Sequence, residues 1–222
     1  MLDGVTETTL VHLVRHAQVE NPQGVLYGRL PGFGLSELGR RMAIRLAEHF
    51  ADTPLNHLRC SPLLRAQQTI APLAGMRPEL GVVTDERVIE AANRFEGMTF
   101  GRDNAALRDP RMFWHMRNPL RPSWGEPYTA IAARMQRAVA DAAEAAGAGG
   151  QALILSHQLP IWTIRRHHEG RPLAHDPRRR QCTLASVTTL TLVRGRVVQV
   201  DYAEPCADLL PPKTGRRFRV GT

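Results

Sequence analysis

An arginine and a histidine stand side by side where an apolar run stops: "TLVHLV", residues 9–14, ends at Arg15-His16. A second apolar run, "ALIL" at 152–155, ends at Ser156-His157. A third and weaker one, "HLRC" at 57–60, leads into Ser61-Pro62, with Arg65 one turn further on. Arginine presents a planar fork that grips two oxygens of an anion at once. Histidine changes charge near neutral pH and serves as nucleophile, acid or base. Two of each, delivered by three separate runs, describe a pocket for a dianionic phosphoryl group, and a helix start after Ser61 would add backbone donors and dipole.

The elements that must position these groups follow from periodicity and punctuation. Residues 9–14 read as a short buried strand. A loop rich in Gly and Pro, "NPQGVLYGRLPGFG", follows it, and Ser36 then caps a helix, "ELGRRMAIRLAEHF", with Leu38, Met42 and Leu46 on one stripe. After the strand at 57–60, "SPLLRAQQTIAPLA" has Ser61 at the N-cap and Pro62 at the first helical position. "GVVTD" is a third strand candidate. Residues 91–127 lack clean periodicity and carry Trp114, Trp124 and several prolines, the mark of a lid or a set of short helices. "PYTAIAARMQRAVADAAEAAG" is the clearest helix, "GGQALILS" a strand and "QLPIWTIRRHHEG" a further helix. "ASVTTLTLVRGRVVQVDY" alternates as two strands about an Arg-Gly turn. Strands alternating with helices predict an α/β domain with a mostly parallel central sheet and a closing antiparallel hairpin. In such sheets ligands sit beyond the carboxyl ends of the strands, where the cationic residues fall.

Composition narrows the function. The 222 residues, 43% hydrophobic, suffice for one core, here expected over 1–206 with 91–127 as an insertion and 207–222 as a basic tail. The net charge of +8 raises nucleic acid as a partner, but Lys213 is the one lysine among 29 basic residues and no nucleic-acid-binding motif accompanies the charge. An arginine-rich, Ala- and Gly-rich chain reflects GC-rich coding, and no nucleic-acid partner is expected. No run approaches the roughly 18–20 apolar residues that cross a bilayer, and the first residues form no secretory signal, so no membrane is expected either. Three widely spaced cysteines fit reduced thiols and a cytoplasmic location. His167, His168, His175, Asp176 and Cys182 are zinc-ligand types, but their spacing matches no standard site, so no metal is expected.

"LVRHA", "SPLLRAQQT", an acidic residue in "VIEAANRFEG" and "LILSHQ", in this order over about residues 9–203, resemble the histidine phosphatase (phosphoglycerate mutase-like) superfamily. The segment "YGRLPGFGLSELGRRMA" resembles that family's connection after its first motif. The resemblance implies a three-layer α/β/α fold and metal-free phosphoryl transfer through a phosphohistidine, with a small phosphate ester as substrate and no cofactor. It leaves a homodimer open. It assigns attack to His16, and phosphate binding to Arg15, Arg65 and His157. Glu90 is the candidate proton donor, with Asp85, Glu86 and Glu96 as competing carboxylates nearby. Asn21 is a candidate for completing the phosphate clamp, or else shapes the turn before Pro22, and Arg29 is a candidate substrate contact. The chemistry asks that His16 stay neutral, which flanking cations favour, and that its other ring nitrogen donate to a backbone carbonyl. The family motif usually reads Arg-His-Gly, whereas Ala17 follows the histidine here; a need for positive φ would strain alanine, and a need for small size would not. Hydrolysis is the leading expectation, with mutase-type transfer and a non-catalytic phospho-ligand module as alternatives. Within 91–127, Trp114 and Trp124 either wall the site, with Arg111, Arg117 or Arg121 near a second anion, or pack the excursion onto the core.

Overall fold

Buried side chains alternate along the central strands so that each strand serves two cores. In the computed structural model, which describes residues 7–99 and 125–210, six strands form one sheet. They are β1 (Thr8–Arg15), β2 (Leu55–Cys60), β3 (Val83–Thr84), β4 (Gln151–Ser156), β5 (Val187–Val193) and β6 (Arg196–Ala203), in the order β3-β2-β4-β1-β5-β6. The pairs β3-β2, β2-β4 and β4-β1 are parallel, while β5 runs against β1 and β6 against β5. The expected hairpin is therefore present, laid along the β1 side of the parallel strands.

Four helices are described: α1 (Glu37–His49), α2 (Leu64–Met76), α3 (Tyr128–Ala146) and α4 (Gln158–His168). On one face Val14, Leu58, Leu153 and Leu155 pack with Met42 and Leu46 of α1 and Ile70 and Leu73 of α2. On the other, Val11, Leu13, Ala152 and Ile154 pack with Ile131 and Met135 of α3 and Ile161 and Ile164 of α4. Cover on both faces explains why β4, and β1 apart from His12, read as near-continuous apolar runs rather than alternating ones. Each fully buried Leu or Ile contributes on the order of 2 kcal/mol of transfer free energy, so these strands are the most firmly held part of the sheet.

Two boundaries differ from the sequence reading. The third strand shrinks to two exposed residues at the sheet edge. The second helix begins at Leu64 with Leu63 as its N-cap, not at Ser61, whose hydroxyl is drawn elsewhere. At the other end of the chain, Ala207–Leu209 forms a short 3-10 turn that places Leu209 and Leu210 against the α1 side of the core, with Asp208 paired to Arg45. Cys60, Cys182 and Cys206 are buried, unpaired thiols. Among the described residues no helix is long and apolar enough to cross a membrane. Trp114, Trp124, Arg111, Arg117 and Arg121 lie outside the described residues. The stems of their segment meet, with Asn93 bridged to Gly125 and the Glu126 amide donating to the Ala92 carbonyl at 3.0 Å.

The start of α1 is stitched to the chain just past His16. The Ser36 hydroxyl caps Gly39 N–H at 3.0 Å, and Ser36 N–H donates to the Gln18 carbonyl at 3.0 Å. Gly39 lies so close to that carbonyl that a Cβ would collide with it. Gly39→Ala is therefore expected to destabilise the protein by about 1–3 kcal/mol in urea unfolding, despite alanine's better helix propensity.

Candidate active site

Parallel pairing brings the three strand ends together. Arg15 stands opposite Ser156 in the β1-β4 register, and Cys60 opposite Leu155 in β2-β4. The ladder then runs one residue further, with His16 N–H donating to the Ser156 carbonyl at 3.1 Å and Ser61 N–H to the Leu155 carbonyl at 3.0 Å. His16, Ser61 and His157 consequently leave the sheet side by side, the first two held by these backbone bonds.

His16 is 2% exposed, and its Nδ1 lies 2.8 Å from the Ala17 carbonyl oxygen. A carbonyl only accepts, so Nδ1 carries the proton and Nε2 of the neutral ring keeps its lone pair. Ala17 is itself fixed, because its N–H donates to Thr69 Oγ1 at 3.0 Å while that hydroxyl donates to the Arg65 carbonyl at 2.6 Å. Among the described residues the only non-glycine residues with positive φ are Ala185 and Arg194, so Ala17 is unstrained. It is also completely buried in the α1–α2 core. Small size is what the position needs, and alanine provides it.

The His157 ring centroid lies 5.2 Å from that of His16. Its Nε2 is 2.7 Å from Ser61 Oγ, which is where the hydroxyl expected to cap α2 has gone. His157 Nδ1 is buried with no partner among the described residues. Arg65, 1% exposed, donates from Nη2 to the Gly28 carbonyl at 2.7 Å and stacks its guanidinium 4.7 Å from the Tyr27 ring centre. Its Nε has no partner, and no carboxylate of the described residues pairs with it. Gly28 has φ +40°, and a Cβ there would strike the Glu96 carboxylate, so glycine is required where the backbone offers its oxygen to Arg65. Arg15 donates from Nη1 to the Cys182 carbonyl at 2.7 Å. The structure thus gathers Arg15, His16, Arg65 and His157 at one strand-end edge.

Glu90 follows the short 3-10 turn Glu86–Val88, and its backbone is held on several sides. Ser156 Oγ donates to the Val88 carbonyl at 2.7 Å, Arg134 Nη1 to the Arg87 carbonyl at 2.6 Å, and Arg29 Nε to the Glu90 carbonyl at 2.7 Å. Glu126 joins the two arginines, accepting from Arg29 Nη2 at 2.9 Å and Arg134 Nε at 2.8 Å. Arg29 therefore braces the Glu90 segment, a role the sequence reading did not give it. Among the described residues the Glu90 carboxylate accepts only from the adjacent Ala91 N–H, at 2.8 Å. Both ends of the Asn21 amide are engaged by the Val25 backbone, at 2.9 and 3.0 Å, so its observed role is the turn-shaping one. Sequence reasoning missed Tyr27, Ser61 and Glu126. Tyr27 and Ser61 sat inside segments already singled out, and nothing local marked Glu126. Among the described residues no three His, Cys, Asp or Glu gather as a metal site; His175 packs on Tyr128 and Trp162, and Asp176 pairs with Arg178.

Burial, then Arg65 and Arg15, holds His16 well below the usual imidazole value; burial, then Arg65 and His16, does the same for His157. Both rings are therefore neutral at pH 7. In the unfolded chain they take up protons below about pH 6.5, which the folded protein resists, so stability falls as pH drops from about 6.5 toward the depressed folded values. Each ring adds a slope approaching about 1.4 kcal/mol per pH unit in that window. Urea melts at pH 7.0, 6.0 and 5.0 are expected to show a shallower acid loss for His157→Gln than for the unsubstituted protein; identical slopes would contradict the neutral buried ring.

Comparison with known proteins establishes the family of the chain. A protein of Mycobacterium tuberculosis, Rv0525, is 53% identical over 201 residues, covering 90% of this chain and 98% of its own. The solved structure of Bacillus stearothermophilus YhfR is 26% identical with a TM-score of 0.73, covering 86% of this chain and 94% of its own. That of a mycobacterial glucosyl-3-phosphoglycerate phosphatase is 25% identical with a TM-score of 0.69, covering 88% and 97%. Residues 11–205 match the family described as the histidine phosphatase superfamily, branch 1, and with Arg15-His16 and His157 assembled at its strand ends, this chain belongs to that superfamily.

Proposed function

We propose that the protein hydrolyses a small phosphomonoester through a phosphohistidine formed on His16. The observation that carries the reading is the buried, neutral His16 whose Nδ1 proton is committed to the Ala17 carbonyl. Nε2 attacks phosphorus, the P–N bond forms and the P–O ester bond breaks. Arg15, Arg65 and the Nδ1 edge of His157 bind the phosphoryl oxygens as charge shifts among them. With Ser61 donating its hydroxyl to His157 Nε2, the remaining ring proton sits on Nδ1 and is available to an oxygen. Glu90 protonates the departing alkoxide, then takes a proton from the water that attacks phosphorus and frees His16. Hydrolysis is favoured over mutase-type transfer by the phosphatase named among the similar structures. Protein guanidinium groups do the neutralising that a metal would otherwise supply, so turnover is expected to survive EDTA. A reducing cytoplasm is the compartment that suits three unpaired, buried thiols.

The test is a panel of phosphomonoesters assayed for inorganic phosphate, with phosphoglycerate products analysed alongside for isomerisation. His16→Ala is expected to lose at least about a thousandfold in kcat/KM on every ester that the protein cleaves. Turnover undiminished in that variant would remove the mechanism, and isomerisation without phosphate release would replace hydrolysis by transfer.

The brace around Glu90 gives a separate expectation. Glu126→Ala frees Arg29 and Arg134 and should lower kcat by about 10–100-fold with KM little changed. The Glu90→Ala/Glu126→Ala pair should be no slower than Glu90→Ala alone, since both act through one carboxyl group. Additive losses would show that Glu126 works by another route.

A further inference from the structure

Three arginines follow one another at 178–180, and the fold treats them differently. Arg178 is neutralised by Asp176, 2.9 Å away. Arg180 turns instead to two neutral partners. Its Nε donates to His175 Nε2 at 2.9 Å, and its Nη1 donates to Gln158 Oε1 at 3.3 Å. No carboxylate of the described residues forms an ion pair with it.

The partners are arranged to hold that guanidinium in place. His175 Nδ1 lies 2.6 Å from the Leu173 carbonyl, so Nδ1 bears the proton and Nε2 is left to accept from Arg180. The ring is wedged against Tyr128 and Trp162, with centroids 5.3 and 6.0 Å away. Burial, against the opposing pull of the Leu173 bond and with help from the Arg180 charge, brings His175 down to about 4, so it remains an acceptor at neutral pH. Two of the five guanidinium N–H groups are thus used to fix the side chain. Three are left without a protein partner among the described residues, in a planar fork suited to two oxygens at once.

The location ties this fork to the phosphate pocket. Gln158 is the residue after His157, and its Nε2 reaches the Cys182 carbonyl at 3.4 Å, the same oxygen that accepts from Arg15. Arg180 also lies close enough to Glu90 and Arg15 for each to act on its charge. It therefore stands at the edge of the same pocket, within electrostatic reach of Glu90 and Arg15 and linked to Arg15 through the Cys182 carbonyl.

We infer that Arg180, oriented by His175 and Gln158, binds a second anionic group of the substrate, so that the ester cleaved is one that also carries a carboxylate or a further phosphate. This rests on the phosphomonoesterase reading above. A bidentate contact to a carboxylate or phosphate is strong enough to change specificity by about tenfold or more.

The experiment compares matched pairs of esters: 3-phosphoglycerate with glycerol 3-phosphate, phosphoserine with phosphoethanolamine, and a hexose bisphosphate with its monophosphate. The first two pairs probe a carboxylate and the third a second phosphate. The protein is expected to prefer the more anionic member of at least one pair by about tenfold in kcat/KM, and Arg180→Ala is expected to bring that ratio close to one. Arg180→Gln, which keeps the stem's packing, serves as the second variant should the alanine form not fold. No preference in any pair, or a preference unchanged in the folded variant, overturns the inference while leaving the phosphatase reading intact. If no ester is cleaved, that reading fails, and calorimetric binding of the same pairs decides the role of Arg180. Tighter binding of the more anionic member, lost in the variant, supports the subsite, and equal binding in the unsubstituted protein overturns it.

Discussion

Keeping two imidazoles neutral among buried guanidinium groups is the constraint from which the rest of the site follows. A positive charge on each of two rings 5.2 Å apart would repel by about 3 kcal/mol at an effective dielectric of roughly 20, before Arg15 and Arg65 are counted. Burial adds to that penalty, so the folded protein excludes the protons. One ring then disposes of its remaining proton on the Ala17 carbonyl, and the other holds the Ser61 hydroxyl. A basic pocket thereby presents an unprotonated nitrogen at neutral pH, which free histidine does less completely.

The same arrangement costs stability. Arg65 is buried with a carbonyl and an aromatic face for company but no paired carboxylate of the described residues, and a buried Nε without a partner adds to the penalty. Proteins tolerate such groups where a ligand completes them. The cores on either face of the sheet offset the cost, and the parallel ladder carries the load one residue past the strand ends, so the chemistry sits on the most firmly packed part of the chain. Glu90, the proposed proton donor, is the exception. It lies on a loop, and the loop is made firm by backbone bonds from Ser156, Arg134 and Arg29.

Much of this was legible because strand ends are written locally: an apolar run that stops at Arg15-His16 or Ser156-His157 announces both the strand and what it carries. Groups whose partners lie far off in sequence were not. Ser61-Pro62 satisfies every local rule for a helix start, yet a histidine 96 residues away claims the hydroxyl. Arg29 reads as a substrate contact, yet its side chain is held by Glu126, 97 residues on, and by the Glu90 backbone. Asn21 could be read as a clamp or a turn, and Val25 uses both ends of its amide for the turn. Ala17 departs from the family motif, and only its backbone angle separates strain from simple smallness.

The most direct test of the account is the position of the phosphoryl group on the ring. Rapid acid-free quenching of the enzyme during turnover of a cleaved ester, followed by phosphorus NMR and peptide mapping, identifies the residue and the nitrogen that is modified. The Nδ1-to-carbonyl bond predicts phosphate on Nε2 of His16 and none in His16→Ala. Phosphate on Nδ1, on another residue, or on no residue during demonstrable turnover would contradict it.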